Sequence, residues 1–109
     1  MSWWSYAQNP ATIVVNSRIV SGRPEPPVSR LKVRLLENVS KKLLGEGVTD
    51  EGGQARVKLK ADILYPVAAK IEVWDDRRAV LESIVPRYGV QGLYPGDVWA
   101  VRLPPKTER

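Results

Sequence analysis

Apolar residues in this chain recur at every second position, in runs too short for helices. Over residues 67–74, Val67, Ala69, Ile71 and Val73 alternate with Lys70 and Glu72. Successive side chains of a strand point to opposite faces, so this pattern predicts a strand with one buried face. The alternation returns over residues 31–37, with Leu31, Val33 and Leu35 facing in and Lys32 and Arg34 facing out. It returns again over residues 54–60, where Ala55, Val57 and Leu59 alternate with Arg56, Lys58 and Lys60. Glycine, proline and aspartate punctuate the runs, the composition of tight turns.

Extending this reading along the chain predicts seven strands, over residues 12–20, 31–37, 42–49, 54–60, 67–74, 79–85 and 97–103. The loop at residues 21–29 holds Pro24, Pro26 and Pro27, which fix φ and remove ladder donors, so no strand interior fits there. Gly45 and Gly47 weaken the third strand and predict an edge or a bulge. At Thr49-Asp50-Glu51-Gly52-Gly53, Asp50 can accept a hydrogen bond from the backbone two residues on, and the glycines tolerate φ > 0. That turn predicts a hairpin setting the register of the third and fourth strands. Residues 75–78 form a charged hairpin turn. Residues 61–66 are a link with room for one helical turn, and residues 86–96 are the longest irregular loop. No run has useful helical periodicity. The fold class predicted is all-β: a seven-stranded antiparallel β-sandwich, prealbumin-like or immunoglobulin-like. The domain spans residues 12–103, between an aromatic N-terminal arm (residues 1–11) and a polar C-terminal tail (residues 104–109).

At 109 residues the chain makes one core without staples. It has no cysteine, which rules out a disulfide framework, and no histidine, which removes the usual general base, metal ligand and pH switch. With phenylalanine also absent, Trp3, Trp4, Trp74, Trp99 and four tyrosines supply all aromatic packing. The net charge is +5, and the excess lies in residues 1–60, with ten Lys/Arg against five Asp/Glu; residues 61–109 balance at seven each. That favours solubility and mild attraction to polyanions. No apolar run approaches the roughly 20 residues of a membrane span. The stretch Met1-Ser-Trp-Trp-Ser-Tyr6 has no basic region followed by an apolar one, so it is not read as a secretory signal. The expected location is a virion or an extracellular assembly, with the cytoplasm left open. Ile, Val, Tyr, Trp, Arg, Glu and Leu form about half the chain, a lean toward a thermophilic source.

The strand Leu31-Lys-Val-Arg-Leu-Leu36, the proline-containing loop before it, and Val48-Thr-Asp-Glu-Gly-Gly-Gln-Ala-Arg-Val57 after it resemble carboxypeptidase regulatory-like, or prealbumin-like, β-sandwich domains. Residues 65–73 stand where that family has its Tyr-x-Val-x-Val strand, and the resemblance covers about residues 12–103. It implies the sandwich fold and a role in scaffolding, adhesion or stabilising a neighbour rather than catalysis. The loop after the first strand is longer and richer in proline than the family's. Some relatives form a Lys–Asn isopeptide; the first strand here carries no lysine and the last no asparagine, so that crosslink is not carried over.

No enzyme is expected, because a serine triad cannot be assembled without histidine. Asp50/Glu51 and Asp75/Asp76 are read as turn formers, with no calcium-loop spacing around them. Gly45 to Gly53 lacks the Lys-Ser/Thr of a P-loop, and Asn38-Val-Ser40, formally a sequon, is read as a turn. Neither a metal nor a cofactor is expected. Two candidate surfaces remain. Trp3, Trp4 and Tyr6 are expected to anchor a neighbouring protein, since tryptophan and tyrosine dominate interface hot spots. The loops at residues 22–28 and 86–95 would be secondary contacts. Lys32, Arg34, Arg56, Lys58 and Lys60 would form a positive face for nucleic acid or another polyanion if their two strands share a sheet; the simpler reading is a solvated face that blocks edge-to-edge aggregation. The function expected is therefore a non-enzymatic assembly subunit of a virion or surface filament. The alternatives are a polyanion-binding module or an accessory domain of a secreted protein.

Overall fold

The computed structural model describes residues 9–105. These residues form nine strands and no helix: β1 (Ala11–Asn16), β2 (Ile19–Val20), β3 (Arg23–Pro24), β4 (Lys32–Glu37), β5 (Leu43–Val48), β6 (Gln54–Val57), β7 (Ala69–Asp75), β8 (Arg78–Val85) and β9 (Val98–Arg102). They make three sheets, ordered β6-β1-β9, β2-β3 and β5-β4-β7-β8. The all-β expectation holds, while the strand count and the uniformly antiparallel pairing need correction. β1 and β9 run parallel, with Ile13 opposite Trp99 and Val15 opposite Val101. Most of the chain separates these two strands, so no tight hairpin obliges them to run antiparallel.

The first expected strand breaks after Asn16, and its remainder becomes the β2–β3 hairpin. Ser21 (φ 52°) and Gly22 (φ 78°) both take left-handed backbone, which matches the twist of a two-residue hairpin. This turn lets Arg23–Pro24 pair with Ile19–Val20 inside the stretch read as a loop. Two strand residues ending on proline need little from the ladder, so the ring is tolerated.

The inner faces of the two larger sheets share one hydrophobic cluster. Ala11, Ile13 and Val15 of β1, Ala55 and Val57 of β6 and Val101 of β9 pack with Val33 and Leu35 of β4, Leu44 of β5, Ala69, Ile71 and Val73 of β7 and Val85 of β8. Burying each Val, Leu or Ile contributes about 1.5–3 kcal/mol. Leu59 and Leu93 reach the same cluster from connecting segments.

β5 is an edge strand, and the β4–β5 register shifts between Leu35 and Leu36, so both readings of its glycines are met. Gly45 lies opposite Leu35 and Gly47 opposite Val33, on the inner face. A Cβ on Gly45 would stand 2.3 Å from the Lys58 carbonyl oxygen, and one on Gly47 2.6 Å from that of Arg56. The missing side chains let the backbone leading out of β6 lie directly against β5, which closes this side of the core.

The Asp50 turn has the expected chemistry and a different outcome. Its Oδ1 accepts from Gly52 N at 2.9 Å and Gln54 N at 3.0 Å. It does not join two paired strands: β5 belongs to the four-stranded sheet and β6 to the three-stranded one. The turn carries the chain from one sheet to the other. Beside it, the buried Thr49 hydroxyl accepts from Leu31 N and donates to Val28 O, both at 2.9 Å, and so ties the proline-rich loop to the core.

Candidate functional site

Trp3, Trp4 and Tyr6 lie outside the described residues. The five basic candidates lie within them and do not make one face. Lys32 and Arg34 stand on β4, Arg56 on β6, and Lys58 and Lys60 just beyond β6. The two strands do not share a sheet, so the condition for a joint positive face fails. Lys32 Nζ is 3.6 Å from Glu46 Oε2, and Arg34 reaches Glu46 at 3.4 Å and Glu72 at 3.7 Å. Lys70 then joins Glu72 at 3.3 Å to Glu82 at 3.2 Å. Hydrogen bonding to Glu82, and then to Glu72, raises the pKa of the Lys70 ammonium. Three cations and three carboxylates thus neutralise the outer face of the four-stranded sheet. Arg56, Lys58 and Lys60 remain exposed on the other side.

The acidic turns are structural in their geometry. Asp75 and Arg78 pair across the β7–β8 hairpin, and Asp76 takes its left-handed position (φ 56°). The Glu37 carboxylate accepts from Ser40 N at 2.8 Å and Val39 N at 3.0 Å, and these bonds lower its pKa. Among the described residues no group of three or more acidic side chains could hold a metal ion, and no helix is long and apolar enough to cross a membrane.

The loop over residues 86–96 is the most distinctive surface. It is irregular, as expected, but firmly anchored. Leu93 is fully buried, and its backbone exchanges hydrogen bonds with Val67 at 2.9 and 3.2 Å. Tyr88 and Gln91 exchange a second backbone pair at 2.9 and 2.8 Å, with Gly89 (φ 59°) in the turn between them. At the far end, Asp97 Oδ2 accepts from Tyr94 N at 2.9 Å and from the Trp99 indole N–H at 3.2 Å. On this frame Tyr88 is 70 % exposed and Val90 79 %. With Pro86, Tyr94 and Trp99 they line a groove of about 510 Å³.

Sequence reasoning marked this loop as a contact surface and missed Trp99, whose place in β9 reads as a core position. The indole does pack against the core, yet one side of it lines the groove. The local signal was the Asp97-x-Trp99 spacing, which lets a carboxylate orient the indole two residues on. The chain enters the described region beside this groove: a side chain at Gly96 would meet Asn9 Cβ at 3.6 Å, and Thr12 N donates to Asp97 O at 2.8 Å. Compared with known proteins, the chain matches no family model, no curated protein and no solved structure.

Proposed function

We propose that this chain is a non-enzymatic assembly module: a prealbumin-like or immunoglobulin-like β-sandwich that builds a virion or surface filament by docking its aromatic arm, Trp3, Trp4 and Tyr6, on a neighbouring protein. The observation that carries this reading is the pinned loop with Tyr88 and Val90 exposed beside an apolar groove. Apolar side chains held out on a rigid frame lose little entropy when a partner covers them, which is the economy of an interface anchor. The polyanion reading is less well supported, because it needs one continuous positive face and the five basic residues are divided between two sheets.

Sedimentation of the full chain against a chain lacking residues 1–8 tests the proposal. The full chain should form an oligomer whose mass falls on truncation, with the β-sheet circular dichroism unchanged. An equal mass for both would overturn it.

A further inference from the structure

Beyond the assembly reading and independent of it, we infer that the cavity of about 510 Å³ lined by Arg18, Asp75, Arg78, Val80, Pro104 and Pro105 binds a small organic monocarboxylate, whose carboxylate is held by the two guanidinium groups. Three observations carry it.

The first is convergence. β1 and β9 run parallel, with Asn16 opposite Arg102, so both strands leave the smaller sheet at the same end. Leu103 N donates to Asn16 O at 2.9 Å and extends that pairing. Arg18 therefore emerges beside Pro104 and Pro105, and the β7–β8 turn of the other sheet brings Asp75 and Arg78 to the same cavity. The second is a cation on a pinned backbone. The Ser17 hydroxyl donates to Glu25 O, the Arg102 guanidinium donates to Ser17 O at 2.8 Å, and Glu25 N donates to Arg18 O at 2.8 Å. The Arg18 Nε is closed off from water and meets no acceptor among the described residues. A buried donor without a partner is rare and costly. A guanidinium already stripped of part of its hydration, on a backbone already fixed, loses less when an anion binds it.

The third is charge. Among the described residues Arg18, Arg78 and Asp75 form no ion pair, either with one another or elsewhere. Two guanidinium groups and one carboxylate leave the cavity a single positive charge, which a monoanion neutralises and a dianion exceeds. The planar fork of arginine matches a carboxylate with two parallel N–H···O bonds. Val80, Pro104 and Pro105 offer an apolar wall to the rest of the ligand. The volume lies within the roughly 300–1,000 Å³ of small-molecule sites, so an inorganic ion would leave most of it unfilled.

Amide chemical shifts of the full chain, followed through a titration with benzoate at constant ionic strength, test the site. Saturable shifts should centre on Arg18, Arg78 and Val80, and benzamide, the neutral isostere, should produce none. Arg78→Gln falls on an exposed position, so the fold should be unaffected, and it should weaken binding roughly tenfold or more. Arg18→Gln should weaken it at least as much. Asp75→Asn should strengthen benzoate binding severalfold, because a repelling carboxylate is gone. Equal affinity in the wild type and Arg78→Gln, or flat shifts up to about 10 mM benzoate, would overturn the inference. Binding of phenyl phosphate in place of benzoate would overturn the choice of a monoanion. The core ends at Leu103, so a chain ending at Pro105 keeps it whole. If only that shorter chain binds benzoate, the tail's own carboxylates fill the cavity and the inference fails. None of these readouts depends on the mass of the assembly.

Discussion

Arg34 faces Glu72 directly across the β4–β7 ladder, its Nη1 3.7 Å from the carboxylate. Glu46 faces Arg34 from the other side on β5, and Glu82 lies opposite Glu72 on β8. One register row therefore crosses all four strands as Glu46, Arg34, Glu72 and Glu82. Two carboxylates directly opposite each other repel, and the next row on the same face, two residues along β7, supplies Lys70 to bridge them. Glu72 is only 9 % exposed and also accepts from the Trp74 indole at 3.1 Å.

That row predicts a coupled loss. Arg34→Met leaves the nearly buried Glu72 short of a partner and beside Glu82, and should cost about 1–3 kcal/mol in urea unfolding. In a Glu72→Gln background the same substitution should cost much less, because no buried charge is left behind. Equal costs in both backgrounds would mean that the pair is solvated decoration.

Gly45→Ala should be more damaging than an alanine at an ordinary strand glycine. Its φ is not left-handed; space is the constraint, since the new Cβ would stand 2.3 Å from Lys58 O and 2.8 Å from Val57 Cγ1. Backbone must move, so a loss of about 1–3 kcal/mol or more is expected in thermal or chemical unfolding. Gly52→Ala, whose nearest atom would be Asp50 Oδ1 at 3.4 Å, is the control and should be close to neutral.

Period-two alternation made most of this architecture legible, because it reports which side of a strand is dry. Val67, Ala69, Ile71 and Val73 are buried as that pattern requires. It cannot report which strands share a sheet, so it left open the condition on which Lys32 and Arg34 would join Arg56, and the structure does not meet it: an outward lysine looks the same on either sheet. Ladder partners settle the matter: Glu46 reaches β4 through the neighbouring β4–β5 pair, whereas Glu72 is brought to it by the longer-range β4–β7 pairing, which local sequence does not encode, and Glu82 follows on β8. Proline misled in the opposite direction at Pro24, where a two-residue hairpin asks almost nothing of the ring's missing donor. The groove was half visible. Its tyrosines lay in a recognised loop, and Trp99 joins them through Asp97, whose carboxylate accepts from both Tyr94 N and the Trp99 indole.

Thr49→Val tests how the proline-rich loop is held. The hydroxyl serves a buried backbone donor, Leu31 N, and a part-buried acceptor, Val28 O, and threonine here is only 3 % exposed. Valine keeps the shape and orphans both groups, an expected loss of about 1–3 kcal/mol. Thr49→Ser should retain most of the stability and Thr49→Val should raise amide exchange at Leu31. Wild-type exchange at Leu31 in the valine variant would refute the clamp.

Tyr65 carries the fourth prediction, in alkaline solution. Burial, with the nearby Asp62 charge, pushes its phenol up to about 12 from the ordinary 10.0. The hydroxyl donates to Lys60 O at 2.7 Å and so ties down the link between β6 and β7. A phenol whose folded pKa lies above its unfolded one binds its proton more tightly when folded. Its contribution to stability is therefore complete below pH 10 and falls as the pH rises toward 12. Tyr65→Phe should flatten that part of the slope while costing about 1 kcal/mol at neutral pH for the lost hydrogen bond. The check is unfolding free energy against pH for both proteins, with phenolate absorbance followed alongside. If the two curves run parallel between pH 9 and 12, the phenol is not the group that titrates.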